Sequence, residues 1–153
     1  MDMPRGVCNI QLSVPIERVW NFVSTFNNWA PLIPGYLCHE FINDKESTWY
    51  FTGDLGFIKK TVMLKVDITG WEEPKWISFN LAGLSDHFAG KGFFLAERVN
   101  ENSTSITGSL DISARGFMAP MINSVLKDFI PHATAEFTTA VANKIMEARN
   151  LHI

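Results

Sequence analysis

Hydrophobic and polar positions alternate from the start of the chain. Cys8, Ile10, Leu12 and Val14 fall on one side, with Asn9, Gln11 and Ser13 on the other, the period of a half-buried strand. Pro15 then fixes φ at a helix start, where its missing N–H costs least. Residues 17–23 place apolar side chains on one side of a short helix, 24–28 break it, and 29–33 form a second short piece stopped by Pro34-Gly35. Period two returns in six consecutive segments. The first spans 36–42 and closes at Asn43-Asp44; the second spans 48–55, with Trp49, Phe51, Gly53 and Leu55 on one face. The third, 57–71, sets Val62, Leu64, Val66 and Ile68 against Thr61, Lys65, Asp67 and Thr69. Glu72-Glu73-Pro74-Lys75 is a turn, with proline where no ladder donor is needed. Strands follow at 76–82 (Ile77, Phe79, Leu81 inward), at 87–99 (carrying Gly90 and Gly92) and at 105–114 (Ile106, Gly108, Leu110, Ile112), the last two joined by a hairpin turn at Asn100-Glu101-Asn102.

The period then changes. Met118, Met121, Ile122, Val125 and Phe129 recur at helical spacing, and the face continues through Ala133, Phe137, Ala140, Val141 and Lys144 to about Glu147. Pro131 is expected to kink or reset this helix. The order is strand, two short helices, six strands, long helix, and strands in series without intervening helices mean an antiparallel sheet. The expected fold is α+β: about seven strands curved around a C-terminal helix, as one domain over residues 1–153.

This order poses a filling problem. A helix about 10–12 Å across cannot fill the hollow of a curved sheet whose strands lie about 4.8 Å apart. Either large side chains or a ligand must occupy the rest. Trp49, Phe51, Phe79, Phe93, Phe94 and Phe129 could fill it. Gly53, Gly90, Gly92 and Gly108 favour an open wall, since a strand glycine contributes no side chain. Adaptable methionines at 118 and 121 suit the mouth. The wall residues expected to meet a ligand are Phe51, Leu64, Phe79, Phe94, Leu110, Met121, Ile122, Val125 and Phe129. A ligand of roughly 20–30 heavy atoms at about −0.3 kcal/mol per atom would bind with near-micromolar affinity.

Composition narrows the partners. The 153 residues carry a net charge of −3, and no Lys/Arg run exceeds Lys59-Lys60, which argues against nucleic acid and against a polybasic membrane patch. No stretch approaches the length of a membrane-spanning helix, and the N-terminus lacks an apolar leader, so the expected location is cytoplasmic. Cys8 and Cys38 have no partner spacing for zinc and are expected to be buried free thiols. Phe (12) far outnumbers Tyr (2), which suits an interior wall because Phe has no polar tip.

Several local motifs carry a resemblance. Ser13-Val14-Pro15-Ile16-Glu17-Arg18-Val19-Trp20, then Trp29, Ile33-Pro34-Gly35, Asp54-Leu55-Gly56, and Gly116-Phe117 before the last helix resemble the START-like, helix-grip superfamily often called SRPBCC. Within it, the chain is similar to the CoxG family, which is associated with carbon monoxide dehydrogenase. The resemblance implies a cavity for a lipid- or quinone-like molecule, and a role as accessory factor to a molybdenum-containing dehydrogenase.

The same superfamily contains cyclases and hydrolases, which raises the question of catalysis. Asp128, His132 and Glu136 recur every four residues on the last helix and could present a general base. A solvated helix edge is the favoured explanation, and no third ligand with zinc-type spacing accompanies them. Asp86-His87 reads as a turn, and Lys91 and Glu97 as outer-surface positions. Nucleophile elbow, phosphate loop and dinucleotide fingerprint are all missing from the sequence. The reading is a binding module for a small hydrophobic molecule, without cofactor or metal. The alternatives are a cyclase- or dehydratase-like enzyme with His132 as base, or an interaction protein with a filled core.

Overall fold

A computed structural model describes residues 4–54, 59–84 and 87–150. In chain order the elements are β1 (Arg5–Leu12), α1 (Ile16–Val23), α2 (Phe26–Trp29), a 3-10 turn (Ala30–Leu32), β2 (Tyr36–Phe41), β3 (Glu46–Asp54), β4 (Lys59–Glu72), β5 (Trp76–Gly83), β6 (Phe88–Asn100), β7 (Ser103–Ala114) and α3 (Ala119–Asn150). The strands form one antiparallel sheet in the order β1-β7-β6-β5-β4-β3-β2. This is the expected helix-grip arrangement, a curved sheet closed around a long C-terminal helix. Residues 55–58 and 86, which carry part of the Asp54-Leu55-Gly56 motif, the start of the expected third strand and Asp86, lie outside the described residues.

The first core lies where the two short helices meet the sheet and the end of α3. Val14, Ile16, Val19, Trp20 and Val23 pack with Ile77, Ile106, Val141, Ala142 and Ile145. The short helices lie closer together than the sequence pattern suggests. Trp29 Nε1 donates to Val23 O (2.8 Å) and Asn28 Nδ2 to Phe22 O (3.0 Å), so the second helix caps the first and starts at Phe26. A bulge between Ile68 and Gly70 turns Trp71 to the helix side, where it meets Trp20 edge-on at 5.3 Å.

α3 packs on β1 and β7. Two glycines let it approach. A Cβ on Gly108 would stand 2.6 Å from Thr138 Oγ1, and one on Gly6 would strike Thr134 and the Ile130 carbonyl. At Gly92 the space is taken by the Phe79 ring, 2.5 Å from where a Cβ would lie. Gly92 and Gly108 therefore make room for the protein's own groups, as Gly6 does, which corrects the reading of these two as openings for a ligand. The helix also runs unbroken through Pro131. Pro131 and Lys127, whose carbonyl the proline leaves without a donor, are both exposed, so water can serve that carbonyl.

The ends of the grip are pinned by backbone geometry. Gly35 has φ +81°, and a Cβ there would lie 2.5 Å from the Thr52 carbonyl. Gly116 has φ +95° at the entry to α3. Asn123 then clamps that entry, donating to Ala114 O (3.0 Å) and accepting from Ala114 N (2.7 Å). The thiols differ from expectation: Cys8 is half-buried and Cys38 exposed, because Cys38 points to the outer side of the edge strand β2.

Candidate functional site

The strand register decides which side chains face the helix. Gly108 lies under Thr138, so its face of β7 is the inner one, and the pairing carries that face across the sheet. Leu110 stands opposite Gly92, Phe94 opposite Gly108 and Ile77, Phe79 opposite Gly92 and Ile68, Leu64 opposite Gly83 and Trp49, and Phe51 opposite Val62. All five expected sheet positions are thus on the helix side. Phe51, Phe79, Phe94 and Leu110 are half-buried, whereas Leu64 is buried. Phe93 is on the other side, stacked on Trp76 with centroids 4.8 Å apart, and so fills no interior space.

The helix contributes less uniformly. Leu126, Ile130, Thr134, Val141 and Ile145 form the buried stripe. Ile122, Phe129 and Ala133 occupy the flank beside it, toward Phe137, whose ring touches Trp29 at 5.9 Å. Ile122 is half-buried and Phe129 is 41% exposed. Val125, half-buried, sits at the outer margin of this flank. Met121 does not join it: nine residues, about two and a half turns, separate it from Ile130, so it lies on the opposite side of the helix. It is 52% exposed. Two open hollows of about 530 and 600 Å³ lie at the rim near Pro74 and near Pro15, and neither is lined by any of the nine residues.

A second core closes the β3 side. Ala30, Trp49 and Val66 are buried beneath Phe26, Trp29, Ile33, Tyr36, Phe51, Phe79 and Leu81. Trp49 is stacked near-parallel to Trp29 (5.7 Å), to Phe51 (6.2 Å) and to His39 (4.4 Å). The hollow is therefore partly filled by the protein's own aromatic rings and lined by half-buried apolar ones.

His39 and Tyr36 were not singled out from the sequence. The register runs Tyr36 to Phe51 but His39 to Trp49, three residues against two, through a bulge at Leu37. That extra residue puts Tyr36 and His39 on the same, inner face. Their polar ends meet: Tyr36 Oη lies 2.6 Å from His39 Nδ1. Burial holds His39 below the ordinary imidazole value of 6.5. Burial, and secondarily the neighbouring Cys38, raises the Tyr36 phenol above 10. Both groups are neutral near pH 7.

Other candidates disperse. Asp128, His132 and Glu136 are all exposed on α3, and among the described residues no three His, Cys, Asp or Glu side chains converge on a metal position. His87 is exposed, and Lys91 and Glu97 are exposed on the outer face. No helix among the described residues is long and apolar enough to cross a membrane.

A protein-family model whose description reads "-like" matches residues 3–148. No curated protein matches the sequence. Solved structures share the architecture. A conserved protein from Geobacillus kaustophilus is 18% identical, with a TM-score of 0.72 over 94% of this chain and 96% of that one. The Zhui aromatase/cyclase from Streptomyces sp. R1128 is 12% identical, with a TM-score of 0.73 over 95% and 94%. A START superfamily protein from Mycobacterium smegmatis is 13% identical, with a TM-score of 0.68 over 94% and 98%. At these identities the likeness establishes a shared fold.

Proposed function

We propose that this chain, which belongs to the family whose model spans its residues 3–148 and has the START-like helix-grip fold, binds a small lipid- or quinone-like molecule between α3 and the inner face of the sheet. One observation carries the reading. Phe51, Phe79, Phe94 and Leu110 on the inner face of the sheet, and Ile122, Val125 and Phe129 on the flank of α3, are apolar yet half-buried or more exposed. Apolar side chains in a closed core would be covered more completely, and covering them is favourable by roughly 25 cal/mol per Å². A guest molecule supplies that cover.

Extraction of the natively purified protein into organic solvent, followed by mass spectrometry, tests the reading. A stoichiometric apolar molecule is the expected result. An empty extract, with no thermal shift from any apolar compound, would refute it. Phe129→Trp adds bulk at a position with room to accept it, and should weaken binding at least several-fold while leaving the melting temperature within a few degrees.

An accessory role beside a molybdenum-containing dehydrogenase extends this reading. Its support is the resemblance of Ile33-Pro34-Gly35 and the neighbouring motifs; the positive φ of Gly35 gives that motif a structural reason as well. Co-purification with components of such an enzyme tests it.

A further inference from the structure

We propose that the Tyr36–His39 pair reads a neutral, hydrogen-bond-accepting oxygen, a ketone- or quinone-type carbonyl, at one end of the apolar guest. This rests on the binding reading above and narrows its ligand class.

The argument starts from position. Only the bulge at Leu37 brings these two polar side chains to the inner face, in a row otherwise made of Phe41, Ser47, Trp49 and Phe51. Tyr36 meets Phe51 edge-on at 6.4 Å, so the pair adjoins the apolar wall. His39 is held flat against Trp49, 13° from parallel, which fixes the plane in which its ring nitrogens point. Tyr36 Oη and His39 Nδ1 lie 2.6 Å apart; with the more acidic phenol as donor, the neutral ring carries its proton on Nε2. Among the described residues no group accepts from Nε2. The pair therefore presents one oriented N–H donor beside an aromatic wall, without charge. That chemistry suits a carbonyl oxygen. A carboxylate would gain no ion pair there.

The test compares 9-fluorenone with fluorene, planar molecules of the same outline that differ by one carbonyl oxygen. Affinities are measured by fluorescence titration against the full chain, His39→Phe and Tyr36→Phe. His39→Phe keeps the ring on Trp49 and removes the donor; Tyr36→Phe removes only the hydroxyl that orients it. The wild type should prefer fluorenone about two- to tenfold, the range of one net hydrogen bond. His39→Phe should abolish that preference while fluorene affinity is kept, and Tyr36→Phe should reduce it. The carbonyl stretch of bound fluorenone should lie at lower frequency in the wild type than in His39→Phe. Equal affinity of the wild type for both molecules, or a preference that survives His39→Phe, overturns the proposal and leaves the binding reading standing. If neither molecule binds, the carbonyl proposal fails and the organic extract decides the binding reading. A variant that does not fold leaves the wild-type preference and its infrared shift to decide.

Discussion

His39 shows how one residue acquires a property that its type alone does not give. Its imidazole value is lowered by burial, so the unfolded chain takes up a proton first as pH falls. Stability from this group is present above about pH 6.5 and is lost as pH drops through that value toward the lower folded one. Urea midpoints at about pH 7.5 and about pH 5.5 should therefore differ more in the wild type than in His39→Gln. An equal difference in both proteins would remove His39 from the account. Gly108 makes the same point by packing. Adding a methyl group there meets Thr138 Oγ1, which is already tied to Thr134 O at 2.7 Å. Gly108→Ala should cost about 1–3 kcal/mol in denaturant unfolding. Thr138→Ala in the same chain should recover part of that cost, which a double-mutant cycle would read as coupling.

Among the elements, α3 departs most from its sequence pattern. A proline inside a helix costs about 3 kcal/mol relative to alanine, and the pattern around Pro131 predicts a kink or reset. The buried stripe of Leu126, Ile130, Thr134 and Ile145 continues across it, because burial against β1 and β7 outweighs one lost backbone bond. Pro131 is exposed, so Pro131→Ala removes no packing. It should raise stability by about 1–3 kcal/mol, seen as a higher melting temperature. A lower one would mean that the proline shapes the helix for its seat on the sheet. β2 shows the converse: a single bulged residue in a short edge strand, unmarked by any glycine or proline, rearranges two side chains.

For the whole molecule the balance lies between filling and binding. The end beside α1 and α2 is closed by rings from four elements, with Trp20, Trp71, Phe26 and Trp49 in contact one after the next. Toward the start of α3 the apolar side chains are less covered: Phe117, Met118 and Phe129 are exposed, and Ile122 is half-buried. A guest entering there would meet the flank of α3 first and the sheet wall second. Phe129→Trp, placed on that route, is accordingly the substitution most able to separate binding from folding. Loss of affinity with an unchanged melting temperature would locate the guest. A loss of both would indicate that Phe129 belongs to the core.

Periodicity alone determined the number and order of the strands, the inner positions on most of them outside β2, and the long C-terminal helix. Each of these follows from local alternation, which the register preserves. All five sheet positions expected in the wall accordingly lie on the inner face. What tertiary structure decided was everything that depends on a neighbour distant in sequence. Gly92 and Gly108 are filled by Phe79 and Thr138 rather than left open, and Met121 is carried to the far side of α3 by the angle at which the buried stripe seats. Tyr36 and His39 meet only because pairing with Phe51 and Trp49 forces a bulge between them. A strand's own sequence sets the alternation of its side chains. Where that alternation slips is set by the partner strand, and here the slip placed a polar pair in the aromatic wall.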